Sequence, residues 1–281
     1  MSDTRAAAEA VLRRIGDLAD DDIDLAEGAL AFASLDRPQV PLDRYRDHLA
    51  ELAADVAAEI RGANPQQRAA AVKAGLFDRH GYAGDTATYD DLQNANLMRV
   101  IDRRRGLPVT LGILMIHAAR AQGWTMVGLG FPGHFLVRVE GGGDQGAGGR
   151  LILDPFHGGR ALATTSLREL LKSVAGEGAE LRPGHYEPVG NRDILLRLGN
   201  NVKLRLIQDH KLDAAAEAIE RMLMIAPRSP QLWRDAGLVQ ARLGNLRRAI
   251  AALETYRELS PSDAARHRAA SMIQELNRQL M

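Results

Sequence analysis

Five residues recur in this chain at a fixed distance. Ala215, Ile219, Met222, Ile225 and Pro227 reappear as Ala249, Leu253, Tyr256, Leu259 and Pro261, each shifted by 34 residues. The apolar members fall three or four apart, so each copy reads as an amphipathic helix closed by a proline. A helix repeated with this period cannot bury its apolar face alone and must stack on its neighbours. Trp233, Ala236, Gly237, Leu243 and Gly244 supply a first helix and a turn for the second unit. Ser229-Pro230 and Ser260-Pro261 each read as a cap followed by a first-position proline. Ala265, Ala269, Met272, Leu276 and Leu280 then form one face of a closing helix. An array this short needs a neighbour over its core, and the preceding part of the chain is the expected one.

The period and the small residues at helix contacts are those of tetratricopeptide repeats, so residues 191–281 are assigned to an all-α repeat module. Residues 1–190 carry another signature. Ile23, Leu25, Ala26, Ala29 and Leu30 recur at helical spacing, as do Leu49, Leu52, Val56 and Ile60. Asn64-Pro65-Gln66-Gln67 is a helix start with an Asn cap, a first-turn proline and a Gln to close a capping box. A loop over 81–88 precedes a helix through Leu97, Val100 and Ile101, and Pro108 opens an apolar helix running to Gln122. After Gly123 the pattern turns β-prone over 125–130, 135–139 and 151–153. The glycine-rich stretch 141–149 reads as a flexible hairpin loop. It is no phosphate cradle, because a strand rather than a helix follows it.

Composition removes several function classes. Thirty-six Lys and Arg balance 36 Asp and Glu, so no global field draws the chain to nucleic acid or a membrane surface. Arg103-Arg104-Arg105 lies close to Asp90, Asp91 and Asp102 and reads as a solvated helix end. No apolar run is long enough to span a bilayer, and no secretory leader is evident, so the expected location is the cytoplasm of a bacterium. There is no cysteine, which excludes disulfides, thiolate metal sites and thiol catalysis.

Several blocks together resemble the SirB-type transglutaminase-like proteins, a bacterial family that joins such a domain to tetratricopeptide repeats. They are Asn94-x-Asn96-Leu97, Arg104 through Leu111, Phe131-Pro132-Gly133-His134-Phe135-Leu136-Val137-Arg138, and Asp154-Pro155-Phe156-x-Gly158-Gly159. The resemblance implies an α+β fold: a mostly helical, papain-like domain whose small antiparallel sheet packs on a central helix, followed by the repeats. It also implies a triad with His134 as general base and Asp154 as orienting carboxylate, both on strands. Active relatives place a Cys fifteen residues before the glycine that ends the central helix, and the count from Gly123 lands on Pro108. The nucleophile is missing.

Thr110 is the nearest hydroxyl, but two residues further on is roughly 200° around a helix, so it should face away from Pro108. A Thr satisfied within the first helical turn is the expectation. His134 and Asp154 read as a retained structural pair, as a ligand-binding remnant with Arg105, Asn94 and Asn96 nearby, or as part of a zinc site with His157. The interval from Asp154 to His157 matches no recognised ligand spacing, so no metal and no cofactor is expected. His117 lies within an apolar helix and reads as a satisfied core His. The expected function is a catalytically inactive adaptor or regulator that binds a protein or peptide. Its contacts would be Asn200, Asn201, Lys203, Arg205, Arg234 and Arg242 on the repeat helices. The alternative is a hydrolase or acyl transferase acting on amide bonds, with His134 activating water or a non-cysteine nucleophile.

Overall fold

The computed structural model of this chain describes residues 2–141 and 149–280, so most of the glycine-rich stretch 141–149 lies outside the described residues. The chain divides into two compact units. One holds residues 1–5 and 20–198, the other residues 6–19 and 199–281. The division falls after residue 198, and the helix α1 (Ser2–Asp17) has twelve of its sixteen residues in the second unit. Nothing in its sequence encodes which partner buries it.

The first unit opens with α2 (Leu25–Ser34), α3 (Asp43–Ala58) and α4 (Pro65–Lys73), the last continuing as a π-helical turn to Arg79. The predicted capping box at α4 is present: Gln67 donates its backbone N–H to the Asn64 side chain at 2.8 Å, and the Asn64 N–H is returned to Gln67 Oε1 at 3.4 Å. A two-residue strand β1 (Ala83–Gly84) leads to α5 (Leu97–Arg103), β2 (Arg105–Gly106) and α6 (Pro108–Arg120). Helix α6 is buried on nearly every side, with Leu111, Ile113, Leu114, Met115 and Ile116 at 1% exposure or less. That all-round burial marks it as the central helix.

Strands β3 (Met126–Leu129), β4 (Leu136–Glu140), β5 (Arg150–Asp154), β6 (Arg160–Ala161) and β7 (Pro188–Val189) form an antiparallel sheet ordered β6-β5-β4-β3-β7. Alternation along β4 splits its residues between two layers. Val137 faces α6 at Gly112, whereas Leu136 joins a cluster with Leu129, Leu167 and Leu171 beneath α7 (Thr164–Ala175). The helix α8 (Asn191–Gln208) begins in this unit, where Arg120 donates to the Asn191 side chain at 2.9 Å. His117 on α6 is partly buried.

The second unit stacks the later part of α8 with α9 (Leu212–Ile225), α10 (Pro230–Arg242), α11 (Leu246–Leu259) and α12 (Asp263–Leu280). The 34-residue register holds in the core: Ala215, Ile219, Met222, Ile225, Ala249 and Leu253 are all fully buried. One expected cap is corrected. Ser260 ends α11 instead of starting α12, and its hydroxyl donates back to the Tyr256 carbonyl at 2.6 Å. The start falls two residues later, where Ser262 Oγ accepts from the Ala265 N–H at 3.3 Å. Helix α1 packs on this unit through Leu12 and Ile15, with Gly16 set against the backbone of Met224.

Candidate functional site

The site grows from the start of α6. Pro108 is its first residue and is buried, as its fixed φ and missing N–H allow. The approach is pinned twice by one carbonyl: Asn94 O accepts the Leu107 N–H at 3.1 Å and the Thr110 hydroxyl at 2.9 Å. The same hydroxyl reaches the Leu107 carbonyl at 2.9 Å. Thr110 is fully buried with its proton committed inward, so it ties down the helix start and offers no exposed nucleophile.

A short parallel pairing brings the other half of the site near. Gly84 of β1 pairs with Gly106 of β2, just ahead of Pro108. The Gly84 N–H then bonds the Phe156 carbonyl at 3.2 Å. The turn after β5 is thereby held beside the approach to α6. Asp154 is the last residue of β5, as expected of a strand-borne carboxylate. His134 is not on a strand: it occupies a bend two residues ahead of β4, where Gly133 takes a positive φ of 66°. The bend is stabilised on its far side by Phe135, whose ring fills the space left by Gly112 and Gly128.

His134 Nε2 lies 3.0 Å from Asp154 Oδ1. On its other oxygen, 2.7 Å away, Asp154 meets His157 Nδ1, a residue the sequence reading raised only as a zinc ligand and set aside on its spacing. The carboxylate also accepts the Phe156 N–H at 3.0 Å and the His157 N–H at 3.4 Å, an Asx turn closed on its own chain. Asp154 is 1% exposed, His134 12% and His157 48%. Burial pushes the Asp154 carboxyl upward, but the hydrogen bonds and charge of the two histidines outweigh it and hold it below its ordinary value. The carboxylate is therefore ionised at neutral pH, and a His134 that donates through Nε2 presents Nδ1 as its basic nitrogen. Phe156 sits edge-on to His134 and to Tyr89, which walls the pair with aromatic rings.

The residues expected to surround this pair have other employment. Asn94 is fully buried, donating to the Thr88 carbonyl at 2.6 Å and accepting from Arg103 at 3.0 Å. Asn96 caps α5 through the Arg99 N–H at 3.1 Å and ties it to the Ala33 carbonyl at 3.0 Å. Arg105 is exposed and donates to the carbonyls of Gly81 and Arg104, both at 3.0 Å. Asp85, which the sequence did not flag, collects the Thr88 hydroxyl at 2.7 Å and Arg103 at 2.9 Å. These contacts hold its carboxyl well below the usual range.

On the repeat unit, Arg234 and Arg242 are exposed and Asn200 and Asn201 are partly so. Lys203 and Arg205 are not. Lys203 is 6% exposed and paired with Asp235 at 2.5 Å, and Arg205 is 9% exposed and donates to Asn201 at 3.1 Å. The open feature of this unit is instead a groove of about 750 Å³ between α1 and the faces of α9, α10 and α11. Arg13 and Asp17 border it from α1, and Glu220, Trp233, Arg248 and Thr255 from the repeat helices.

With a central helix, a small antiparallel sheet and a His–Asp pair at their junction, the chain belongs to the transglutaminase-like superfamily, whose model matches residues 43–200. A tetratricopeptide repeat model matches residues 202–274. Among its relatives, a UPF0162 protein of Xylella fastidiosa is 37% identical over 69% of this chain and 68% of that one. A UPF0162 protein of Vibrio cholerae is 29% identical over 88% and 92% of the two chains. Protein SirB1 of Salmonella typhimurium is 24% identical over 90% and 92%. No solved structure matches the chain. None of the helices among the described residues is long and apolar enough to cross a membrane.

Proposed function

We propose that this protein is a catalytically silent transglutaminase-like protein that works in the cytoplasm as a protein- or peptide-binding adaptor. The observation that carries the reading is the groove of the repeat unit. Its lining is mostly apolar and includes charges of both signs, Arg13 and Arg248 with Asp17 and Glu220, on helices held by a packed core. An extended or helical peptide with apolar anchors and a few charges of both signs matches that lining. The silent first unit rests on chemistry: the sequence has no thiol, Pro108 stands at the nucleophile position, and the Thr110 hydroxyl is turned inward.

One observation favours a second reading. His134 and Asp154 keep the geometry of a general base and its orienting carboxylate, so water activation at His134 would make the protein an amide hydrolase. Affinity capture from bacterial cytosol separates the two, comparing the intact chain with a groove variant (Arg248→Glu with Thr255→Arg) and with His134→Ala. A partner retained by His134→Ala and lost in the groove variant supports the adaptor. A partner found cleaved or covalently changed with the intact chain, and unaltered with His134→Ala, overturns it.

A further inference from the structure

The spacing of Asp154 and His157 argued against a metal, yet the fold brings His134 onto the other oxygen of the same carboxylate. We propose that His134, Asp154 and His157 form a zinc-class divalent metal site. This goes beyond the adaptor reading and does not depend on it.

Three observations carry the proposal. First, the donor atoms converge. One ligand atom from each of the three side chains lies within 4.8 Å of the other two, with imidazole nitrogens at 3.0 and 2.7 Å from the two carboxylate oxygens. Ligands about 2.0–2.1 Å from a tetrahedral zinc sit about 3.3 Å from one another, so side-chain movements on the order of 1 Å convert the hydrogen-bonded cluster into a coordination set. Second, the anchor is preorganised. Asp154 is buried and fixed by the backbone N–H groups of Phe156 and His157. Its own carbonyl accepts the Gly159 N–H at 2.9 Å. That turn places His157 over the carboxylate, and Gly158 and Gly159, each at φ 68°, then reverse the chain into β6. Third, the site has an entrance. His157 is 48% exposed, so an ion and a solvent ligand can reach the cluster without the core opening.

Two imidazoles and one carboxylate are a donor set suited to zinc and neighbouring first-row ions, with the remaining position left to water. On binding, each histidine ligates as the neutral imidazole. The proton on His134 Nε2 is replaced by the metal and the ring carries its proton on Nδ1; His157 ligates through Nδ1 and carries its proton on Nε2.

A second group, His48, Glu51 and His80, also has ligand atoms within 4.8 Å of one another. There the Arg104 guanidinium donates onto His48 Nε2 and places a fixed positive charge beside any cation. That group serves as the internal control.

The test uses the full chain without a polyhistidine tag, stripped with a chelator, and titrated with Zn²⁺ against a chromophoric competitor. Co²⁺ absorption reports the coordination geometry. The expected result is one Zn²⁺ per chain, weakened at least about 100-fold in His157→Ala, since losing a direct ligand should cost more than losing an outer-shell partner. His80→Ala should leave binding unchanged. Because His157 is half exposed, its variant should keep the wild-type circular dichroism and melting curve, measured in chelator. No stoichiometric Zn²⁺, binding untouched by His157→Ala, or a loss that appears in His80→Ala instead would each overturn the assignment.

Discussion

Replacing Asp154 with Ala tests the claim that this carboxylate is the keystone of the first unit's polar core. In the native protein it accepts from His134 Nε2, His157 Nδ1 and the backbone N–H groups of Phe156 and His157. The half-exposed His157 can turn to water when the carboxylate is gone. The Phe156 N–H and the mostly buried His134 cannot do so readily. Each buried donor left without a partner costs about 1–3 kcal/mol, so Asp154→Ala should lose about 3 kcal/mol. For a unit of this size that corresponds to a melting temperature lower by roughly 6–12 °C. Asp154→Asn keeps an acceptor for His134 and Phe156 and should lose only about 1 kcal/mol. Scanning calorimetry in chelator at pH 7 reads both without any contribution from bound metal. The acid limb gives a sign check. Because the folded carboxyl is held below its ordinary value of 3.8, its stabilisation is complete above that pH and disappears as the pH falls through the folded value. The gap between wild type and Asp154→Ala should therefore be flat from neutral pH to about 5 and close in stronger acid. A drop smaller than about 2 °C at pH 7 would refute the keystone role.

Two further outcomes follow from close contacts elsewhere. A Cβ at Gly16 would lie 2.4 Å from the Met224 carbonyl oxygen, a backbone atom that cannot swing aside. Overpacking of about 1–3 kcal/mol should outweigh the helix-propensity gain of at most about 1 kcal/mol, so Gly16→Ala should lower the urea midpoint of the second unit; a raised midpoint would contradict that packing. His48 is held neutral, first by burial and then against Arg104, so stability should fall as pH drops from 6.5 toward its lowered folded value. His48→Gln should flatten that limb in pH-dependent denaturation, and an unaltered slope would show that His48 does not set it.

What could be read in advance divides along physical lines. Local signals translated directly. The capping box at Asn64, the first-position Pro108 and the three longer strands depend on neighbours a few residues away, and all are present. The 34-residue register was legible because the residues that recur are the ones the stacked helices bury. Ser260-Pro261 misled because a Ser before Pro suits the end of one helix as well as the start of the next. The two-residue strands β1, β2, β6 and β7 carry no periodicity to detect. The burial of Lys203 and Arg205 was hidden because it depends on Asp235, 32 residues on, and on Asn201, whose orientation the repeat phase does not settle. For the candidate site, the sequence supplied His134 and Asp154, and it named His157 only to discount it. An Asp followed three residues later by a His looks like a chance interval until the Asx turn folds one back onto the other.

The attachment of α1 to the repeat unit has a temporal consequence. Residues 6–19 leave the ribosome ahead of the 179 residues that separate them from Gly199. At about 5–20 residues per second, Leu12 and Ile15 wait on the order of 10–40 s before the surface that buries them has been made. Through that interval the helix is an apolar strip without a home. The nascent chain thus presents a hydrophobic flag that is lowered only once the repeats have been made, and a product truncated before them would display it permanently to chaperones and proteases.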